Sequence, residues 1–178
     1  MKKSDIKKMP EYFDRYINLS DDVTYIEALE TSLQELENAP IDKWEALGDK
    51  VYAENKWTVK DILQHFIDTE RVFSFRMLSF ARNEPGRMLA FDQDLFANNA
   101  DANRRTIKDL VDELTLIRIS YLALYQSFTP EMLQKSGKAY NGAEYCVLSM
   151  AFMIAGHQRW HFRVLEEKYY PLIESNNA

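Results

Sequence analysis

The sequence has few of the residues that interrupt helices or cross-link chains. Its 178 residues include five glycines, five prolines and one cysteine. The scarcity of glycine and proline favours long helices over many short strands. The single cysteine, Cys146, excludes an intrachain disulfide and a cysteine-rich zinc site. We expect Cys146 to be a small buried residue, because free cysteines usually are.

Basic clusters and long apolar runs are also lacking. Lysine and arginine total 22 against 28 aspartates and glutamates, and the basic residues are scattered along the chain. A nucleic-acid-binding surface needs clustered basic residues, so we expect no nucleic-acid partner. No apolar run approaches the roughly 20 residues of a membrane span, and the N-terminus lacks the apolar stretch of a signal peptide. We therefore expect a cytoplasmic protein with no membrane partner.

Four long segments repeat apolar residues at intervals of three and four, which is the pattern of an amphipathic helix. These segments cover approximately residues 23–38, 58–82, 105–128 and 144–169. Thr58 begins the second segment with a capping-box pattern, in which Asp61 takes the position of the usual glutamate. Four such helices predict an all-α fold, a four-helix bundle.

The rest of the chain is assigned to connections within one domain. Residues 39–57 and 87–103 are predicted to be long connections, which need packing of their own or a functional use. Residues 1–20 are predicted to be a partly helical lead-in that packs on the bundle. No repeat or linker divides the chain, so residues 1–178 are predicted to form a single domain.

All three histidines of the chain fall on predicted apolar faces. His157 and His161 are four residues apart on the fourth helix, where Cβ atoms at this spacing are roughly 5–6 Å apart. His65 lies among apolar residues of the second helix. A buried imidazole without a partner costs about 1–3 kcal/mol, so three of them indicate a shared purpose. We hypothesise that the three histidines converge on one divalent metal.

The chemistry of such a site is only partly defined by its ligands. Imidazole nitrogens suit zinc, nickel, copper and iron. Three protein ligands leave a coordination position open, which is typical of catalytic rather than structural sites.

Two familiar metal motifs are excluded. A zincin needs His-Glu-x-x-His, in which the glutamate is the general base, and this chain has Gln158 between His157 and His161. A di-iron bundle needs glutamate three residues before its histidines, and the chain has Ile62, Ile154 and Gln158 at those positions.

Four other polar residues are candidates for orienting the ligands or a substrate. Asp68 and Arg76 lie near the histidine-bearing face of the second helix, where a solvated or salt-bridged edge is the favoured alternative. Asp92 and Asp94 could line the mouth of a site, although acids in connections more often form turns.

The sequence also predicts which of several other helix residues are exposed and which are buried. Glu70 and Arg71 are expected at the surface. Aromatic residues at helical spacing are expected in the core: Phe66, Phe73, Tyr121, Phe128 and Trp160.

Several motifs, in order along the chain, match a known family. They are Lys-Trp-Thr-x-Lys followed by His-x-x-Asp-x-Glu-Arg (residues 56–71), Phe-Arg (75–76), Ala-Arg (81–82), Phe-Asp-x-Asp (91–94), and Ile-Ala-Gly-His (154–157) with a histidine four residues later. With these motifs the chain resembles the DinB-like superfamily, also described as the YfiT-like metal-dependent hydrolases, and it is most similar to the branch that carries the first of these motifs. The resemblance extends over about residues 11–170.

The resemblance implies a four-helix bundle connected up-up-down-down through long crossover loops. It also implies a divalent metal, zinc or nickel, held by His65, His157 and His161. Some relatives are transferases that use a low-molecular-weight thiol such as bacillithiol or mycothiol, and dimers are common. For this chain we therefore expect a small-molecule substrate, with a thiol cosubstrate and a homodimer as further expectations.

Two departures leave a rival interpretation open. Relatives often have glutamate where this chain has Gln158, and a further histidine where it has Trp160. A proton-transfer role at these positions is therefore not expected. The leading interpretation is a metal-dependent hydrolase or thiol transferase, and the alternative is a non-catalytic metal- or small-molecule-binding bundle of the stress response. A purely structural bundle with three core histidines is the third interpretation.

Overall fold

The computed structural model describes residues 1–84, 88–139 and 142–174, and this part of the chain is mainly helical. Its α-helices are α1 (Asp14–Ile17), α2 (Tyr25–Glu37), α3 (Ile41–Leu47), α4 (Val59–Ala81), α5 (Gln93–Ala100), α6 (Ile107–Gln126), α7 (Pro130–Leu133), α8 (Val147–Val164) and α9 (Pro171–Glu174). A small antiparallel hairpin, β1 (Ser136–Lys138) and β2 (Glu144–Cys146), precedes α8. Short 3-10 segments cover Lys3–Asp5 and Ala102–Arg104.

Local sequence accounts for where three of the long helices begin. Each of them has a threonine N-cap and an acid three residues later, which together form a capping box: Thr24 and Glu27 on α2, Thr58 and Asp61 on α4, and Thr106 and Asp109 on α6. In this motif the hydroxyl accepts from a free backbone N–H while the acid accepts from the N-cap N–H. The predicted start of the second long helix is confirmed.

The helices α2, α4, α6 and α8 form the four-helix bundle. Helix α4 packs beside α6 and α8, and α2 packs beside the same two helices. The consecutive long helices α2 and α4 are therefore diagonal to each other, as are α6 and α8. Their connections contain α3, α5, or α7 with the hairpin, so the predicted long crossovers are confirmed.

Contacts at two levels of the bundle define the direction of each helix. They are Tyr25–Tyr125 and Ser32–Arg118 between α2 and α6, Thr58–Asn103 and Arg71–Glu113 between α4 and α6, and Phe66–Phe162 and Phe80–Tyr145 between α4 and α8. Helices α4 and α6 are thus parallel, and each is antiparallel to its other neighbour. Along the chain the order is up-down-down-up, which corrects the expected up-up-down-down. Up-up-down-down describes instead the directions of neighbouring helices around the bundle, in the order α8, α2, α6 and α4.

The parallel pair requires the long connection between α4 and α6. Helix α4 has 23 residues, which corresponds to a length of roughly 34 Å. Because α4 and α6 are parallel, the chain must run back along the whole length of α4 before α6 can begin at the same end of the bundle. The segment that contains α5 makes this return. Helices α3 and α5 lie within the segments that the sequence analysis assigns to long connections. Helix α3 packs beside α6 and buries Trp44 and Leu47, whereas α5 lies beside α4 and has no buried residue.

The fourth helix begins later than expected. Residues 144–146 belong to β2, where Cys146 pairs with Ser136. The side chain of Cys146 then caps α8 by accepting from the backbone N–H of Ser149 at 3.4 Å. The cysteine is only partly buried, and its place at the start of α8 is remote from the histidines. After Val164 the helix continues as a π-helical turn, Leu165–Tyr169.

Four of the five aromatic residues expected in the core are buried, and Trp160 is not. Phe66, Phe73, Tyr121 and Phe128 are each less than 8% exposed, whereas Trp160 is 40% exposed. The prediction for Trp160 is wrong because its position on α8 faces outward. Its indole packs edge-on against a ring of α1, that of Tyr16, at 5.8 Å between centroids.

Candidate metal centre

Helices α4 and α8 bring the three histidines together. His65 is buried on α4, while His157 and His161 are partly buried one turn apart on α8. The ring centroids are 5.0 Å apart for His65 and His157, 5.4 Å for His65 and His161, and 4.8 Å for His157 and His161. One ring nitrogen from each residue lies within 4.8 Å of the other two. We call these residues the histidine cluster.

The spacing within the cluster fits a divalent metal ion. The Nε2 atoms of His65 and His157 are 3.1 Å apart. Two nitrogens that each stand 2.0–2.1 Å from a tetrahedral ion are separated by about 3.3 Å. The Oγ1 atom of Thr69 lies 3.3 Å from Nδ1 of His65. The tautomer with a proton on Nδ1 donates to Thr69 and leaves the Nε2 lone pair directed at His157, which is the arrangement a ligand histidine needs.

Burial keeps the cluster neutral. It lowers the pKa of His65 to about 3, with a smaller contribution from His161. Burial also lowers the pKa of His161 to about 4 and holds the pKa of His157 well below its usual value. Desolvation disfavours the charged imidazolium, so at neutral pH all three rings retain a lone pair that can coordinate a metal.

Two aromatic rings hold the imidazoles in place. The indole of Trp57 lies 4.7 Å from the His65 ring and stacks on His161 at 6.4 Å, with 17° between the planes. Phe66 points its edge at His157 and His161, at 5.4 and 5.3 Å between centroids. These contacts restrict rotation of the rings and cover part of their surface.

Gly156 allows α1 to approach this part of α8. A Cβ atom at this position would lie 1.8 Å from the backbone oxygen of Tyr16. The close approach places the Tyr16 ring edge-on to His157, at 5.1 Å between centroids. Burial, with a smaller effect from Tyr12, raises the pKa of Tyr16 to about 12. Its phenol therefore stays protonated at neutral pH and can donate a hydrogen bond, but it cannot act as a base.

Cavities reach the histidine cluster from two sides. The first, of about 170 Å³, contains His65, His157, Thr69 and Arg76 in its wall. We call it the arginine cavity. The second, of about 220 Å³, is lined by Trp57, Asp94 and His161, among others. We call it the tryptophan cavity. The cluster is therefore accessible to small molecules.

The four candidate polar residues fall in different places. Arg76 is 7% exposed and lies in the arginine cavity. Asp94 lies in the tryptophan cavity with His161. The carboxylate of Asp92 is exposed and accepts from the backbone N–H groups of Asp94 and Leu95, at 3.1 and 3.0 Å. Asp92 is thus the N-cap of α5, as the turn-forming alternative anticipated.

Asp68 belongs to a separate groove. It accepts a hydrogen bond from Nε2 of Gln64 at 3.0 Å and shares an open groove with Arg105 and Glu113. Burial raises the pKa of this carboxyl, although it is only half-buried. The structure does not bring Asp68 into either cavity beside the cluster.

A second polar group in the core was not anticipated. Arg118 of α6 donates from Nε and Nη2 to the carboxylate of Glu70 on α4, at 3.1 and 2.5 Å. It also donates to the hydroxyl of Ser32 on α2, and Nη2 donates to Gln158 Oε1 on α8 at 3.2 Å. Gln158 in turn donates to Glu35 and to the backbone oxygen of Ser32, each at 2.9 Å. We call these five residues the polar network.

The expected surface position of Glu70 is therefore wrong. Its side chain is 4% exposed and that of Arg118 is 1% exposed. A guanidinium from another helix makes this burial possible, which the sequence of α4 does not reveal. A signal was present on α6, where Arg118 follows Leu114 and precedes Tyr121 at the spacing of the apolar face.

Comparison with known proteins agrees with this architecture. The sequence profile of the DinB superfamily matches residues 25–165, and the chain belongs to this superfamily. Among solved structures it is similar to YfiT from Bacillus subtilis, which is described as a probable metal-dependent hydrolase with an unusual four-helix bundle topology. That match has a TM-score of 0.69 at 14% identity and covers 93% of this chain and 91% of YfiT. At this identity, the likeness establishes the shared fold.

A search of curated sequences found no significant match. None of the helices in residues 1–84, 88–139 and 142–174 has the length and apolar character needed to cross a membrane.

Proposed function

We propose that this protein is a divalent-metal-dependent enzyme, and that His65, His157 and His161 hold the metal. The reaction would be a hydrolysis or a transfer to or from a low-molecular-weight thiol. The observation that carries the proposal is the histidine cluster: three neutral imidazoles at ligand spacing, open to cavities of small-molecule size. The description of YfiT as a probable metal-dependent hydrolase supports the same chemistry.

Zinc or nickel, which the family resemblance implies, suits this donor set. The three nitrogens have no aspartate, glutamate or cysteine among the described residues as a fourth member of the group. Nitrogen ligands favour these ions over magnesium or calcium. When bound, such an ion lowers the pKa of a coordinated water or thiol, so that a nucleophile is available near neutral pH.

In the arginine cavity, the residues around the cluster would bind and orient rather than transfer protons, whereas the tryptophan cavity has Asp94 in its wall beside His161. Thr69 orients His65, and Trp57 with Phe66 restricts rotation of the rings. Among the described residues that line the arginine cavity there is no carboxylate, and Tyr16 stays protonated. This favours substrates that need little proton transfer from the protein, such as an electrophile attacked by a thiol or an activated ester.

Elemental analysis of untagged protein tests the metal site. We expect about one zinc or nickel per chain, and loss of that metal in His157→Ala. Trp160→Ala is the matched control, because Trp160 is on the same helix but exposed and outside the cluster, and it should retain the metal. Absence of metal from the wild-type protein, with no uptake of added zinc or nickel, would contradict the proposal.

Activity assays on metal-free and reloaded protein test catalysis. Suitable reactions are hydrolysis of p-nitrophenyl acetate and conjugation of a small thiol to 1-chloro-2,4-dinitrobenzene. We expect turnover that is lost on chelation and restored by metal, and absent in His157→Ala. Turnover that survives complete metal removal would exclude metal-dependent catalysis.

The non-catalytic alternative is favoured by one observation, the absence of a carboxylate from the described lining of the arginine cavity. Tight binding of a small molecule to the metal-loaded form without consumption would support that alternative.

We also propose that the protein forms a homodimer. Exposed apolar side chains on the outer faces of α4 and α6, among them Phe75, Leu116 and Ile119, are compatible with a homodimer. Light scattering on the purified protein measures this directly, and a monomeric mass would exclude it. A cytoplasmic location and a single domain over residues 1–178 remain predictions.

A further inference from the structure

Arg76 directs its positive charge toward the histidine cluster. It lies on α4 three turns after His65, and both residues line the arginine cavity. Its guanidinium carbon is 5.4 Å from the ring centroid of Phe73, which precedes it by one turn. The side chain therefore runs back along α4 toward His65, as helical side chains lean toward the N-terminus.

This charge has only neutral partners within the described residues. Nη2 donates to the backbone oxygen of Leu89 at 2.9 Å, and Nη1 is 3.5 Å from the hydroxyl of Tyr145. No carboxylate of the described chain forms an ion pair with Arg76, whereas Arg118 and Arg71 each pair with a glutamate. A buried charge without a counter-ion is unfavourable, so this position is suited to an anion supplied from outside.

One atom of Arg76 remains available for that anion. Nε makes no hydrogen bond within the described residues. Every fully buried side-chain nitrogen or oxygen of those residues has a partner, so Nε is not fully buried. Nε is therefore accessible rather than enclosed. A carboxylate oxygen that accepts from Nε would form a charge-assisted hydrogen bond, stronger than one between neutral groups.

The rest of the cavity restricts the body of the ligand. Its wall is mainly aromatic and aliphatic, with Phe13, Phe73, Phe91 and Ile154 among its members. Thr69 and Gln93 add neutral hydrogen-bonding groups. Within the described lining, Arg76 is the permanent cation, and a single positive charge matches a monoanion better than a phosphate dianion.

We propose that Arg76 binds the carboxylate of a small monocarboxylate with an apolar body, and that the opposite end of this ligand reaches the histidine cluster. The second clause rests on the proposed function, since it names the substrate class of the same site. The first clause depends on Arg76 and the cavity alone.

Paired acid and amide probes test the proposal. Benzoate and phenylacetate carry the charge, and benzamide and phenylacetamide are their neutral counterparts of similar shape. Titration calorimetry on the wild-type protein should give at least about tenfold tighter binding of each acid than of its amide. Equal affinities, or no saturable binding of any of the four probes, would overturn the proposal.

Variants assign the preference to Arg76. Arg76→Met, which keeps the length but removes the charge, should abolish the acid preference, and Arg76→Lys should retain part of it. Arg71→Met is the matched control, because Arg71 is an exposed arginine of the same helix, and it should bind like the wild type. An undiminished preference in folded Arg76→Met would overturn the assignment. If Arg76→Met does not fold, a partial or complete loss of the acid preference in folded Arg76→Lys would support the assignment to Arg76, and an undiminished preference would contradict it.

Measurements on metal-free protein separate this proposal from the proposed function. Direct coordination of the carboxylate by a metal would make the preference vanish on chelation and persist in Arg76→Met, which contradicts the role of Arg76. Binding by Arg76 predicts that the acid preference survives chelation. If elemental analysis finds no metal site, the proposed function fails, while the acid–amide comparison still decides the role of Arg76.

Discussion

The histidine cluster and the polar network are neighbours in the same bundle, yet they differ in how their polar atoms are used. His157 and Gln158 are adjacent on α8 and point to different sides of the helix, one to the cluster and the other to the network. In the network, hydrogen bonds from Arg118 and Gln158 join all four long helices. In the cluster, nitrogen faces nitrogen and cavities open beside the rings. The polar groups of the network satisfy one another's hydrogen bonds and hold the helices together. The nitrogen lone pairs of the cluster have too few hydrogen-bond donors around them, which indicates a ligand.

The comparison also explains a departure from the family pattern. A glutamate at position 158 of this chain, which the family resemblance leads us to expect, would place a negative charge beside Glu35, whose carboxylate accepts from Gln158. Glutamine instead supplies a donor for Glu35 and an acceptor for Arg118. Gln158 is therefore a structural residue here, and the absence of an acid at this position leaves the three proposed ligands of the histidine cluster unchanged.

The largest expected effect is the loss of stability when the network loses one charge. Arg118→Met leaves Glu70 buried without a counter-ion, and we expect the free energy of unfolding to fall by about 3–5 kcal/mol. Urea denaturation measures this change. Lys108→Met is the control, because Lys108 pairs with Asp112 at an exposed site, and its effect should be below about 1 kcal/mol.

The double variant Glu70→Leu/Arg118→Met sharpens this prediction. Removing both charges should recover most of the lost stability, because a buried ion pair contributes little beyond an apolar pair of similar volume. If Arg118→Met alone is as stable as the wild type, the network is not the structural element we describe.

A smaller effect is expected for Gln158→Glu. The variant removes a donor to Glu35 and to the Ser32 backbone oxygen, and it adds a second carboxylate at a buried position. We expect a loss of about 1–3 kcal/mol at neutral pH, partly relieved in mild acid, where the new carboxyl is protonated. Metal content per folded chain should not change, and its loss would place Gln158 in the metal site instead.

The smallest effect concerns the pH dependence of the metal-free protein. The folded pKa values of about 3 for His65 and about 4 for His161 lie below the ordinary value of 6.5, so the unfolded chain binds protons that the folded chain does not. Stability is then fully present above pH 6.5 and decreases as the pH falls toward 4. Each such imidazole contributes about 1.4 kcal/mol per pH unit in this window.

His157→Leu tests the contribution of one ring to that pH dependence. Unfolding of chelated protein between pH 6.5 and 5 should show a slope reduced by about one third relative to the wild type. At neutral pH the variant should be as stable as the wild type or slightly more stable, since leucine needs no hydrogen bond. A large loss at neutral pH would mean that the cluster, like the network, is mainly structural.

Much of the site followed from spacing along single helices. His157 and His161 face the same way because four residues complete about one turn, and the apolar residues around His65 predicted that it faces the core. Threonine and aspartate three residues apart predicted the start of α4. These features depend on local geometry, which is nearly the same in any helix.

Other features depend on which helices become neighbours. Glu70 is buried because Arg118 of α6 approaches it, whereas Trp160 is 40% exposed beside Tyr16 of α1. The direction of the chain through the bundle follows from connections whose helices, α3 and α5, form against the bundle surface. The charge of Arg76 could be read from the sequence, but the absence of a carboxylate partner among residues 1–84, 88–139 and 142–174 could not.

The amino-acid sequence alone determined the helical class, the main helix starts and the three histidines as a group, because backbone hydrogen bonding and side-chain periodicity act over a few residues. The tertiary structure decided which polar residues satisfy one another and which remain open to a ligand. That outcome depends on distances between residues far apart in the chain, such as the 3.1 Å between the Nε2 atoms of His65 and His157. Such distances are determined only when the helices pack against one another.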